Sequence, residues 1–200
     1  MRNKHTHILL LLFIVMYACS CKTLNITRYY HHHQSVLDSI EQVYTHAYKQ
    51  KPFSIEFTDR RFDRVSMELA TDSLTYIYEF WVGEDRMQDT LRKYGFDNFA
   101  VNNLITNMRS VNCTWINNLD YYTDERKHTL TYVTLWPRAF NFPFVKKKYY
   151  ILTYFQQPQY FDSEGQLLVG RKMRRVRKIN AEVFRRINDK VCYTLSDRFR

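Results

Sequence analysis

Apolar residues recur along the chain in two rhythms, and the switches between them mark the expected elements. Val36, Leu37, Ile40, Val43, Tyr44 and Ala47 return every three or four positions, the repeat of one helix face. Ser35 with Asp38 three residues on predicts the start of that helix, and Lys49-Gln50-Lys51-Pro52 its end. The rhythm then becomes two. Phe53 to Phe57 reads as a short strand, and Val65, Met67 and Leu69 alternate with Ser66 and Glu68. Thr71-Asp72-Ser73 predicts a turn, and Leu74 to Trp81 returns as the second arm of a hairpin. Met87, Leu91 and Tyr94 restore the helical repeat, which Gly95 ends, and Asp97 caps a second helix carrying Val101, Leu104, Ile105 and Met108. Residues 112–122 fit a helix through Trp115, Ile116 and Leu119, or a turn through Asn117-Asn118.

Beyond this point the alternation of strands dominates. Thr129 to Trp136 and Lys147 to Gln156 are strands, separated by a loop with Pro137, Phe140, Phe142 and Pro143. Asp162-Ser163-Glu164-Gly165 signals a turn, with Leu167 to Met173 returning as a hairpin partner. A last helix is expected from Asn180, carrying Val183, Ile187 and Val191 at intervals of four; Met173, Val176 and Ile179 fit the same spacing and allow an earlier start. The order helix, strands, helices, strands, helix predicts an α+β fold: one domain, 35–200, whose antiparallel sheet is packed by an N-terminal helix, a central helical pair and a C-terminal helix. The expected core is Leu37, Ile40, Val43, Val65, Met67, Leu74, Tyr76, Phe80, Leu104, Leu130, Tyr132, Ile151, Phe155, Val183 and Ile187.

The first residues follow neither rhythm. Arg2 and Lys4 precede an unbroken apolar run from Ile8 to Met16, and Tyr17-Ala18-Cys19 follows. The run is far shorter than the about 20 residues that cross a bilayer, and its anatomy is that of an export signal. With Val15, Met16, Tyr17 and Ala18 ahead of Cys19, it resembles a bacterial lipoprotein signal peptide. The resemblance covers Arg2 to Cys19 alone. It implies cleavage after residue 18, a signal of 1–18 and lipidation of Cys19. Cys21 is the rival, with Tyr17 then at a position that prefers a small or aliphatic residue. No acidic stretch follows the cysteine, so the resemblance implies a cell-envelope protein held to the membrane and facing the periplasm. Residues 19–34, with the run His31-His32-His33, read as a tether.

Charge changes the picture at the other end. The chain carries a net +10. The last thirty residues hold eleven basic and three acidic side chains, while 19–170 is neutral. A balanced body with a basic end is an electrostatic handle. Arg171, Lys172, Arg174, Arg175, Arg177 and Lys178 are the candidate anion-binding residues, with arginine forks suited to phosphate. In an envelope the matching partners are anionic lipid, lipopolysaccharide or an acidic protein; nucleic acid fits the charge but not the address.

Other constellations are weaker. Cys113 and Cys192 lie in the exported domain and form a candidate disulfide closing a loop of about 80 residues, worth about 4 kcal/mol by chain entropy. Adjacent histidines on a tether lack the fixed geometry of a metal site, so no metal or other cofactor is expected. His128 lies near Asp120, Asp124 and Glu125 and is the place for general acid/base chemistry. Glu68 and Glu79 sit on opposite arms of the first hairpin and read as its solvent side. Glycine-rich phosphate loops and hydrolase nucleophile motifs are absent from the sequence. These features favour a membrane-anchored binding or scaffold module without catalysis. The rivals are an envelope hydrolase or modifying enzyme around His128, and a small-ligand domain using the aromatic segment 136–150 (Trp136, Phe140, Phe142, Phe144, Tyr149, Tyr150).

Overall fold

The computed structural model describes residues 26–123, 126–135, 149–161, 163–165 and 184–196. Helices α1 (Ile26–His32) and α2 (Gln34–Gln50) lead into strands β1 (Phe53–Phe57), β2 (Arg64–Ala70) and β3 (Thr75–Trp81). Helices α3 (Asp85–Lys93) and α4 (Asn98–Ser110) follow. The chain then runs through β4 (Cys113–Thr123), β5 (Arg126–Leu135), β6 (Tyr149–Phe155), β7 (Arg185–Arg186) and β8 (Val191–Ser196). These strands form one sheet in the order β3-β2-β1-β4-β5-β6-β8-β7, antiparallel at every pairing.

Local chemistry sets the boundaries of these elements. Asp97 stands before α4, and its carboxylate accepts the N–H groups of Phe99 and Ala100. After α3, Gly95 takes a φ of +77°, the left-handed turn that ends many helices and that a side chain resists. The Thr71 hydroxyl accepts the Leu74 N–H at 3.1 Å and closes the β2–β3 turn. Residues 113–123 resolve as a strand, pairing with β5 around a bulge between Cys113 and Trp115.

Period-two alternation divides the sheet into two unlike faces. On one, Ile55, Val65, Met67, Leu69, Val133 and Leu152 share a cluster with Leu37, Ile40 and Tyr44 of α2, Leu91 of α3, and Leu104 and Met108 of α4. The other face carries a smaller cluster of Trp115, Leu130, Tyr132, Ile151, Phe155, Phe184 and Cys192. Toward β1 and β2 this second face becomes polar, with Ser54 opposite Glu68 and Glu56 opposite Ser66.

The expected α+β architecture with a C-terminal helix is overturned. Among the described residues the fold is a single eight-stranded antiparallel sheet with four helices, all of them ahead of β4. Where the last helix was expected, Arg185–Arg186 and Val191–Ser196 are strands around a turn. The Asn188 side chain accepts the N–H groups of Lys190 and Val191, so the chain reverses instead of coiling. Val-Cys-Tyr-Thr-Leu then pairs with β6, whose backbone edge would otherwise lack its partner. The spacing of Ile187 and Val191 was a coincidence of register, and Val183 lies outside the described residues. The return strand expected over 167–173 does too.

Two further expectations are corrected. From residue 26 onward the expected tether is helical, with Ile26 and Tyr30 buried. Of the expected core, Leu74 is 58% exposed and Tyr76 39%, because β3 ends the sheet beyond the helices' cover. Val43 and Ile187 are half-buried.

Asp97→Ala removes the acceptor of two N–H groups at the start of α4 and is expected to cost about 1 kcal/mol. The measurement is urea unfolding of the two chains side by side; an unchanged midpoint contradicts the capping role.

Candidate functional site

Cys19, its rival Cys21 and all six candidate anion-binding residues (Arg171, Lys172, Arg174, Arg175, Arg177 and Lys178) lie outside the described residues, as do Trp136, Phe140, Phe142 and Phe144 of the aromatic segment. Its described members, Tyr149 and Tyr150, start β6, with Tyr150 buried against Tyr193 of β8.

The structure keeps the two described cysteines apart. Cys113 and Cys192 are buried free thiols. Cys113 pairs with Leu135 on the helix-covered face, whereas Cys192 pairs with Thr153 on the opposite face. β5 and β6 lie between their strands. Three strand spacings, about 14 Å, exceed any disulfide span. Burial raises the Cys113 thiol to about 12, and raises Cys192 in the same direction. Both are therefore uncharged and inert at neutral pH.

His31 and His32 end α1, and His33 separates it from α2. The His32 and His33 rings meet edge-on, 4.8 Å between centroids, while the His31 ring packs against Tyr30 at 5.6 Å. Burial lowers the His33 pKa, with the neighbouring His32 adding to the effect. No group of three or more His, Cys, Asp or Glu side chains among the described residues is arranged to hold a metal ion. His128 stands opposite Tyr121 and Asp120 opposite Thr129 on the same strand pair. Adjacent rows project to opposite faces, so His128 and Asp120 do not form an acid/base pair. Asp124 and Glu125 lie outside the described residues. Glu68 accepts a hydrogen bond from Ser54 at 3.2 Å, and Glu79 is exposed.

Two polar places emerge that the sequence did not single out. The first is a seam. β1 and β4 pair only at Ile55–Ile116 and Glu56–Trp115, so the strands part on either side. An open groove of about 240 Å³ lies beside that seam, lined by Tyr48, Ser54, Glu68, Thr75, Asn117 and Asn118 among others. Its hydroxyl, carboxamide and carboxylate groups suit a small polar guest.

The second place lies where α1 and α2 meet the sheet. Tyr30 donates to the Asp38 carboxylate at 3.0 Å, and Asn188 of the β7–β8 turn reaches the Tyr30 hydroxyl at 3.5 Å. Thr45 donates to Glu41 at 2.9 Å and shares a hydrogen bond with Thr131 of β5 at 3.2 Å. The buried Tyr154 ring packs 6.4 Å from Tyr30, and its hydroxyl finds no partner among the described residues. Burial raises the phenols of Tyr30 and Tyr154, helped by the charge of Asp38 and Glu41, so both stay protonated. Burial also raises the Glu41 carboxyl, and the nearby charge of Asp38 acts the same way; the Thr45 hydrogen bond, Lys49 and Lys190 oppose it. Together with Tyr29, whose hydroxyl donates to the Val111 carbonyl at 2.8 Å, these groups fasten α1 to the body. Spacing alone held no signal for this cluster, because its members come from α1, α2, β5, β6 and the β7–β8 turn.

Glu41→Gln is expected to raise the unfolding midpoint at neutral pH. A carboxyl whose folded pKa is raised opposes folding above that value. It contributes nothing once the pH is well below 4.5, where both states hold the proton. Thermal unfolding across pH checks this, and an advantage that persists in acid contradicts it. For the cysteines, the unfolding midpoint is expected to be the same with and without reductant, with both thiols unreactive until denaturation; a midpoint lowered by reductant would restore the disulfide. Comparisons of the chain with protein-family models, with curated proteins and with solved structures find no match.

Proposed function

We propose that this protein is a membrane-proximal binding module of the bacterial cell envelope, acylated at Cys19 and contacting an anionic surface through its basic residues 171–178. The observation that carries this reading is the distance between anchor and body. Only six residues separate Cys19 from Ile26, where α1 begins. An extended chain advances about 3.5 Å per residue, so the domain sits within about 25 Å of its point of attachment. Because α1 is fastened through Ile26, Tyr29 and Tyr30, that limit holds for the folded body and not for a loose arm. None of the described helices is long and apolar enough to cross a membrane. In this reading a multiply acylated cysteine supplies the attachment.

In this reading the short link lets the basic segment touch the phosphate headgroups, whose field is screened beyond about 10 Å, so direct contact and not long-range attraction carries the interaction. Each arginine beside an acidic membrane contributes about 1 kcal/mol, so six basic residues give firm but unspecific contact. The contact partner in this reading is the anionic headgroup layer that the anchor itself brings near. An acidic envelope protein is the other source of the same charge.

Mass analysis of the membrane-extracted protein is expected to find a chain beginning at an acylated Cys19. The Cys19→Ser chain isolates the headgroup contact: its binding to vesicles rich in acidic phospholipid should weaken steeply from low to moderate salt. Arg174→Glu with Arg175→Glu should reduce that binding at least roughly thirtyfold, from two lost contributions of about 1 kcal/mol each. An unmodified N-terminus removes the anchor, and salt-indifferent binding removes the basic contact.

A further inference from the structure

β3 ends the sheet, and among the described residues nothing pairs with its outer side. Which of its backbone groups face outward follows from its bonds to β2. Val82 donates to the Asp63 carbonyl at one end, and Thr71 donates to the Leu74 carbonyl at the other. In an antiparallel pair the residues that exchange hydrogen bonds alternate with those that do not. Leu74, Tyr76, Tyr78, Phe80 and Val82 therefore turn their N–H and C=O toward β2. Thr75, Ile77, Glu79 and Trp81 turn theirs away from the sheet.

Half of that outer row is already occupied. The Arg86 guanidinium lies over the Phe80 ring, 5.3 Å from its centroid, and donates to the Glu79 carbonyl. Arg86 is held there by the Glu84 carboxylate at 3.0 Å. Glu84 also accepts the Trp81 N–H on its carboxylate, and its own N–H donates to the Trp81 carbonyl at 3.1 Å. This clip closes the edge from Glu79 to Trp81, leaving Leu74 to Tyr78 open. The open stretch carries no charge, proline or glycine, and it exposes Leu74 by 58%, Tyr76 by 39% and Ile77 by 67%. Natural edges are usually guarded by charge, a bulge or proline, and an unguarded apolar edge is a strand-pairing site.

We infer that β3 pairs antiparallel with β3 of a second copy, about a twofold axis through Tyr76. Only outward-facing residues can exchange hydrogen bonds across the new edge, and this axis sets Thr75 opposite Ile77 of the other copy on both sides. Four backbone hydrogen bonds form with no group of the clip disturbed. On the helix-covered face Tyr76 meets Tyr76, and Leu74 meets Tyr78. On the other face two β-branched side chains meet. All are favourable cross-strand pairs, and no like charges stand opposite one another. An axis through Tyr78 would instead require Glu79 and Trp81, whose outward carbonyls and, at Trp81, N–H are taken. The clip thus excludes that register. The paired window is smaller than a standard interface, so association is reversible and a covalent trap is the fitting readout.

Tyr76 on the axis is a non-hydrogen-bonded position, where facing Cα atoms lie about 4.5 Å apart, within the span of a disulfide. The full chain with Cys19→Ser, Cys21→Ser and Tyr76→Cys is expected to yield several-fold more disulfide-linked dimer on mild oxidation than the same chain with Phe99→Cys. Phe99 is 80% exposed on α4, away from the edge. Adding Ile77→Lys should bring the yield down to that of the control. A yield equal to the control, or unaffected by Ile77→Lys, overturns the inference. If Tyr76→Cys fails to fold, sedimentation of the unsubstituted chain and of Ile77→Lys decides: the former should gain mass with concentration and the latter should not, and equal masses throughout overturn the inference.

Discussion

One-sided burial of the sheet is the constraint from which the rest of the molecule follows. Leu37, Ile40 and Tyr44 of α2 and Leu104 and Met108 of α4 cover a single face, joined by Val65, Met67 and Leu69 of β2 and Val133 of β5. Slipping any covered strand by one residue would turn its whole apolar set toward the other face. That penalty fixes the parity of every position. Parity in turn places Cys113 and Cys192 on opposite faces, separates His128 from Asp120, and decides which amides of β3 look outward.

Much of the first half of the chain was legible, because its local signals agree with one another. The Thr71-Asp72-Ser73 turn, Gly95 and Asp97 each name a boundary by a mechanism that acts within a few residues, whereas the expected Ser35 cap does not form: α2 starts at Gln34 with no side-chain cap bond, and Asp38 accepts from Tyr30. The second half depended on partners. Val191–Ser196 is short, and whether it coils or extends is decided by the waiting edge of β6 and by the Asn188 side chain. α1 was hidden by its histidines, which dilute an apolar set completed only by contacts such as Tyr29 with Val111. The polar centre around Tyr30, Asp38, Glu41 and Tyr154 joins residues more than a hundred positions apart, and no local pattern could assemble it.

β3 shows how a mismatch between sequence and structure can inform. Leu74, Tyr76 and Phe80 alternate with Glu79 on the solvent side, the pattern of a half-buried hairpin arm that predicts all three in the core. The fold leaves that strand at the rim, with an Arg86–Glu84 clip over one half of its outer edge and none over the other. At the other end of the sheet's cover, the buried Ile26 and Tyr30 and the Tyr29 hydrogen bond to Val111 fasten α1 to the body.

Parity can be read most directly in the β6–β8 pair, where sequence and structure part company. Phe155 donates to the Lys190 carbonyl, so the rows Tyr150–Leu195, Leu152–Tyr193 and Tyr154–Val191 are the non-hydrogen-bonded ones, in which facing Cα atoms come closest. Nuclear Overhauser spectra of the folded chain in heavy water should contain strong Hα–Hα contacts between Leu152 and Tyr193 and between Tyr154 and Val191. Sequential amide–amide contacts running from 184 to 192, the signature of a helix, or Hα contacts displaced by one residue, would contradict the sheet on which this account stands.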